Sequence, residues 1–214
     1  MTTLDLAFAH PDPSVRLNAA MQAGLSPSAS DLDALVQQCA VEPDFQVREM
    51  LTWALIRLPA SIAVPRLVAE LDRPEPQARI QALHTLSKFR DTSSWPAVAA
   101  RLDDTDKDVV RTAWYASVAV APESERSWLA NKLAARLGWG EPDLRRSLSR
   151  ALAALGEDDL APILAAAAQQ HDAAVRQHAA EVEKLLADPD AAFAPSIRTA
   201  RREVAQGRTR SAKG

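Results

Sequence analysis

Six arginines fall at nearly constant intervals along this chain of 214 residues: Arg16, Arg48, Arg79, Arg111, Arg145 and Arg176, separated by 32, 31, 32, 34 and 31 residues. Each follows a turn rich in acid or proline and an apolar or small neighbour, as in "EPDFQVREML" at 42–51 and "RPEPQARIQAL" at 73–83. Such a period constrains the fold more than any single motif. A unit of about 30 residues cannot bury its own apolar face and must stack on its neighbours.

Between these segments lie second helical stretches: "SDLDALVQQCA", "SIAVPRLVAEL", "SSWPAVAARL", "SWLANKLAARL" and "DLAPILAAAAQQ". Each unit therefore reads as helix A, a short turn and helix B. Pro65, Pro96 and Pro162 lie 14, 15 and 14 residues before the next repeat arginine, so the A helices share a register. Proline is expected there in a first helical turn, where its missing N–H has no intrahelical partner.

Asp12, Asp44, Glu75, Glu141 and Asp172 lie four residues before their arginines. A carboxylate there takes up orphan N–H groups at the start of helix B and opposes the positive end of its dipole, Asp more effectively than Glu. The fourth unit departs from this pattern, with Lys107 at that offset and Asp106 one residue earlier. A turn differing by one residue is expected there.

Helical geometry then assigns faces. Offsets −1, +3, +6, +7 and +10 from the repeat arginine share one arc. They predict a core of Val47, Leu51, Ala54, Leu55 and Leu58 in the second unit, Ala78, Ala82, Thr85, Leu86 and Phe89 in the third, and Leu144, Leu148, Ala151, Leu152 and Leu155 in the fifth. No strand-like alternation of comparable length competes.

The opposite arc, offsets +1, +5 and +8, holds Leu17, Met21 and Gly24, then Glu49, Trp53 and Ile56, then Ile80, His84 and Ser87. The later units place Thr112, Ala116 and Ala119, then Arg146, Arg150 and Ala153, then Gln177, Glu181 and Lys184 there. This face changes from apolar to charged along the chain. Contiguous exposed apolar area marks contact surfaces, and Trp and Met are favoured in them. Leu17, Met21, Glu49, Trp53, Ile56, Ile80 and His84 are therefore the expected partner-binding residues. An equal alternative is that the short first helix, "TLDLAFA", folds over the patch as a cap.

The six units, covering roughly residues 10–187, resemble the HEAT-like repeat proteins, in particular the short-repeat group that includes the phycobilin lyase subunits. The resemblance implies an all-α, right-handed solenoid of about six helix-turn-helix repeats, with the B helices lining a concave face. It also implies that Arg48, Arg79, Arg111, Arg145 and Arg176 act as struts between repeats. A lyase would need a partner subunit and a phycobiliprotein substrate, and the Arg-rich, Lys-poor composition points instead to a high-GC bacterial source.

Catalytic chemistry is thin. HEAT-repeat metalloenzymes that hydroxylate a lysine derivative carry repeated His-Glu dipeptides, and this chain has none. His178 and Glu181 share a helix face near His171, which is a weak metal set. Cys39 falls on the apolar face of an A helix with Leu32, Leu35 and Val36 and is expected to be a buried, inert thiol. Neither a Gly-rich phosphate loop nor a G-x-S-x-G elbow occurs.

The tryptophans Trp53, Trp95, Trp114, Trp128 and Trp139 invite comparison with HEAT-like DNA glycosylases. Packing accounts for Trp95, Trp114 and Trp128, however, and a net charge of −3 offers no general field for phosphates.

The expected organisation is one solenoid domain at 1–187, a capping helix at 188–206 through Phe193, Ile197 and Val204, and a basic tail at 207–214. The expected function is a non-enzymatic interaction module or scaffold binding a protein or peptide, without cofactor or metal, with the tail as the one route to nucleic acid. A lyase-like enzyme and a nucleic-acid binder are the alternatives. A lone cysteine, the lack of a signal-like N-terminus and the lack of a long apolar run favour the cytoplasm and no membrane association.

Overall fold

A computed structural model describes residues 3–188. Six helix pairs follow one another: α1 (Thr3–Phe8) and α2 (Pro13–Leu25), α3 (Leu32–Val41) and α4 (Phe45–Leu55), α5 (Ala60–Glu70) and α6 (Pro76–Phe89). The series continues with α7 (Trp95–Ala99) and α8 (Lys107–Val120), α9 (Arg126–Ala134) and α10 (Pro142–Ala153), α11 (Glu157–Ala168) and α12 (Ala173–Ala187). No strand occurs among the described residues. The B helices α2, α4, α6, α8, α10 and α12 each pack on the next, and the A helices flank this row. The expected capping helix and tail lie outside the described residues, apart from Asp188.

The core follows the helical arc. Val47, Leu51, Ala54, Leu55 and Leu58 are buried, as are all five counterparts in α10 and the turn after it. Phe89 alone among the fifteen assigned core positions is only half-buried. Burying each such leucine contributes roughly 1.5–3 kcal/mol, so the stack of leucines rather than helix propensity holds the units together.

Helix starts also follow the acidic residues. Asp12 accepts from the Ser14 N–H at 2.8 Å, Asp44 from Gln46 and Val47 at 2.8 and 3.0 Å, and Asp172 from Ala174 at 2.8 Å. Glu75 and Glu141 occupy the cap position, but their side chains accept no hydrogen bond from the N–H groups of the helix start. Their extra methylene does not suit the short loop an Asp closes. In the fourth unit Asp106 is the cap, accepting from Asp108 and Val109 at 2.9 and 3.1 Å.

That one-residue slip changes the arginine. Four residues past Asp106 stands Val110, which is buried, while Arg111 is turned outward and pairs with Asp108 at 2.8 Å. The expectation that Arg111 is a strut is wrong for this reason.

The other arginines close their own turns. Arg16 donates to the carbonyls of His10 and Pro11, Arg48 to those of Glu42 and Pro43, Arg79 to those of Arg73 and Pro74, and Arg176 to those of Gln170 and His171, all at 2.7–3.0 Å. Arg145 does the same through Nε to Gly140. These carbonyls lie past the end of helix A, and in four of the arginines one guanidinium nitrogen, Nη1, donates to two of them at once. Only Arg16 and Arg79 also reach the next unit, at Glu42 (2.7 Å) and Asp104 (3.1 Å). The strut role implied for Arg48, Arg145 and Arg176 is thus replaced by turn closure.

Ties between units come from elsewhere as well. On the helix-A side, Arg66 pairs with Asp33 (2.7 Å), Arg101 with Asp72 (3.3 Å), Arg136 with Asp103 (2.6 Å) and Arg126 with Asp159 (3.1 Å). Between the last two units His178 is buried with both ring nitrogens engaged. Its Nδ1 accepts from the Gly138 N–H at 3.0 Å, so Nε2 carries the proton and faces Ser149 Oγ at 2.9 Å and the Arg145 carbonyl at 3.1 Å.

Pro65 and Pro162 are not in first turns. Each is the sixth residue of its helix, α5 or α11, while Pro96 alone opens one. The carbonyls their missing N–H groups leave free belong to Ser61 and Asp158, both exposed, where water can take the bond.

Candidate functional site

Through the first four B helices, side chains on the outward arc approach one another between successive units. Trp53 of α4 lies over Gly24 of α2, where an added Cβ would collide with the indole atoms Cζ3 and Cε3. Glu49 Oε1 stands 3.4 Å from His84 Nε2 of α6. Lys88 Nζ then lies 5.9 Å from the ring centre of Tyr115 on α8. Arg57 sits similarly, 5.9 Å from the Trp53 ring. Both distances fall within cation–π range.

Of the residues expected on this face, Glu49 and Ile56 are exposed, and Leu17, Met21, Trp53, Ile80 and His84 are half-buried. The half-burial has a simple cause: neighbouring B helices pack side by side, so each arc residue covers part of the next unit. Helix α1 packs on α2 and α3, the ordinary position of an A helix.

The register slip corrects the fourth unit. Ala116, expected outside, is fully buried, and Tyr115, 56% exposed, takes its place beside Arg111 and Val118. Position +5 thus reads Met21, Trp53, His84 and Tyr115 through the first four units. Asp106 was the signal that would have found Tyr115.

Burial and hydrogen bonding set the titrating groups on or near the row. Burial lowers the His84 imidazole, the Glu49 carboxylate opposes that shift, and Lys88 adds to it. His84 therefore rests neutral near neutrality. Burial also pushes the Glu42 carboxyl up, but hydrogen bonds from Arg16, the Asp44 N–H and Gln38 outweigh it and hold the group below its ordinary value.

Away from the row, the candidate reactive groups among the described residues are engaged or buried. Cys39 is buried and its thiol is pushed up to about 12, chiefly by burial and next by the Glu70 charge. His178 spends both nitrogens inside the fold, so it does not join Glu181 and His171 on an ion. Among the described residues no group of three or more metal-ligating side chains converges. A depression of about 150 Å³ between the starts of α8 and α10 is lined by Lys107, Asp108, Arg111, Glu141, Asp143 and Leu144. It is open and of mixed charge. Trp114 is fully buried, Trp95 is buried with Trp128 edge-on at 5.8 Å, and Trp139 stands edge-on to Trp114 at 6.4 Å.

Residues 32–119, which run from α3 to within α8, match the family model of HEAT repeats. That segment is similar to HEAT repeats. The matched HEAT segment carries Glu49, Trp53, Ile56, Ile80, His84 and Tyr115, most of the row just described. Three solved structures are similar in part. One engineered protein is 16% identical over 87% of this chain and 99% of its own, with a TM-score of 0.47. Another is 17% identical over 87% and 97%, with a TM-score of 0.45. A designed armadillo repeat protein is 13% identical over 86% and 98%, with a TM-score of 0.46. No curated protein matches the sequence. Among the described residues, no helix is long and apolar enough to cross a membrane.

Proposed function

We propose that the chain is a non-enzymatic interaction module that binds a protein or peptide along the concave face formed by the second helices of its repeats. The observation that carries this reading is the contact series Gly24–Trp53, Glu49–His84 and Lys88–Tyr115, which joins four units into one row. A row of aromatic and aliphatic groups flanked by cations suits a polypeptide, whose side chains supply both kinds of partner.

Affinity capture from the native host with the wild type, Ile56→Glu and Tyr115→Ala tests the reading. Ile56 and Tyr115 are exposed, so both variants should keep the wild-type melting temperature while losing the same partner. Equal recovery by all three proteins would remove the face from the function.

A further inference from the structure

The B-helix face is charged differently from the rest of the molecule. Over units two to five, the outward arc and the adjoining positions of the same face carry Arg57, Lys88, Arg111, Arg146 and Arg150 against Glu49, Asp108 and Asp143. The whole chain has three more acids than bases. The cationic stripe is thus set on an acidic body. Its first half differs again: Leu17, Met21, Ile56 and Ile80 supply apolar surface there, and Leu25, the first unit's counterpart of Arg57, is exposed.

We infer that the partner is a protein segment with an apolar half and an acidic half, the apolar half seated on units one to three and the acidic half on units three to five. This rests on the interaction reading above and adds the chemistry of the partner. Arg111 and Arg146 pair with Asp108 and Asp143, each three residues earlier on its own helix. Exposed pairs of that kind are weak, and a carboxylate from a bound segment displaces them readily. Arg57 and Lys88, held over aromatic rings rather than carboxylates in the contacts described, present their charge outward with less to give up. A nucleic acid fits less well, since phosphates recur at every residue of the strand and the first unit, with Leu17, Met21 and Leu25 on this face, offers them no cation there.

The probes are fluorescein-labelled peptides with a leucine-rich half and a glutamate-rich half, synthesised in both orders, their lysine-for-glutamate counterparts, and oligothymidine of matched length. Fluorescence anisotropy with the full chain should show one order of the glutamate peptide bound most tightly. Binding should weaken by ~10-fold or more in Lys88→Glu/Arg111→Glu and with rising salt. Arg111→Gln alone, at an exposed site, keeps the test available should the double variant melt early. Equal binding of the lysine peptide, lost in Ile56→Glu, would overturn the acidic partner and leave the interaction face standing. Tighter binding of oligothymidine would overturn it in favour of nucleic acid, and failure of every peptide would overturn both proposals.

Discussion

The indole of Trp53 lies across Gly24 of the preceding repeat, so closely that no Cβ fits between them. A glycine inside a helix normally costs about 0.5–1 kcal/mol relative to alanine. Gly24→Ala should nevertheless destabilise the protein, by roughly 1–3 kcal/mol, because the added methyl overpacks a filled contact. In a Trp53→Ala background the same change should turn mildly stabilising. Urea unfolding of the four proteins measures both signs, and a Gly24→Ala that stabilises the wild type would show that Trp53 does not occupy this position.

Arg16 and Arg48 have the same place in the repeat but different partners. Arg16 forms two hydrogen bonds to Glu42, which is wholly buried, whereas Arg48 reaches turn carbonyls and the face of the Phe45 ring but no carboxylate in its hydrogen bonds. Arg16→Met leaves a buried carboxylate without its cation and should cost about 3–5 kcal/mol. Arg48→Met loses charge-assisted bonds at a solvated turn and should cost about 1–2 kcal/mol. Replacing Arg16 and Glu42 together should recover much of the loss, which denaturant midpoints would show directly.

The contrast between these two arginines marks what the sequence could and could not carry. Which residues form the core was legible, since helical period alone puts Val47, Leu51 and Leu55 on one side. The acidic caps were legible for the same local reason. Spacing identifies Arg16 and Arg48 as equivalent, but whether a guanidinium folds back or reaches across depends on where the neighbouring unit sets an acid. Glu42 follows Arg16 by 26 residues, and the residue 26 past Arg48 is Pro74. The ion pairs of the A helices, Arg66 with Asp33 among them, escaped an account built on apolar positions. The outward face is partly legible: helical offsets place Trp53 and His84 there, while Tyr115 comes out only when the one-residue shift at Asp106 is extended through helix B.

That slip predicts opposite outcomes at adjacent residues. Arg111 is exposed and Val110 is buried. Arg111→Ala should change stability by no more than about 0.5 kcal/mol, while Val110→Ala should cost on the order of 2 kcal/mol. Thermal melts of the two variants decide between this register and one in which Arg111 closes the turn as Arg79 does.

His178 makes stability depend on pH. Burial lowers its imidazole below the ordinary value of 6.5, an effect the Arg145 carbonyl and Glu181 only partly offset. The unfolded chain therefore binds the proton more readily than the folded one. The contribution of the neutral ring is fully present above 6.5 and is lost as pH falls through the lowered folded value. His84, also lowered by burial, acts in the same direction. Protonation would set a charge beside the Gly138 N–H, which now donates to Nδ1. Urea midpoints should fall between pH 7.5 and 5.5 by more than neighbouring carboxylates account for. His178→Gln should be less stable at the upper pH and show a shallower decline, the remaining slope belonging to His84 and vanishing in the double variant with His84→Gln. A decline of equal steepness in wild type and double variant would show that neither ring controls it.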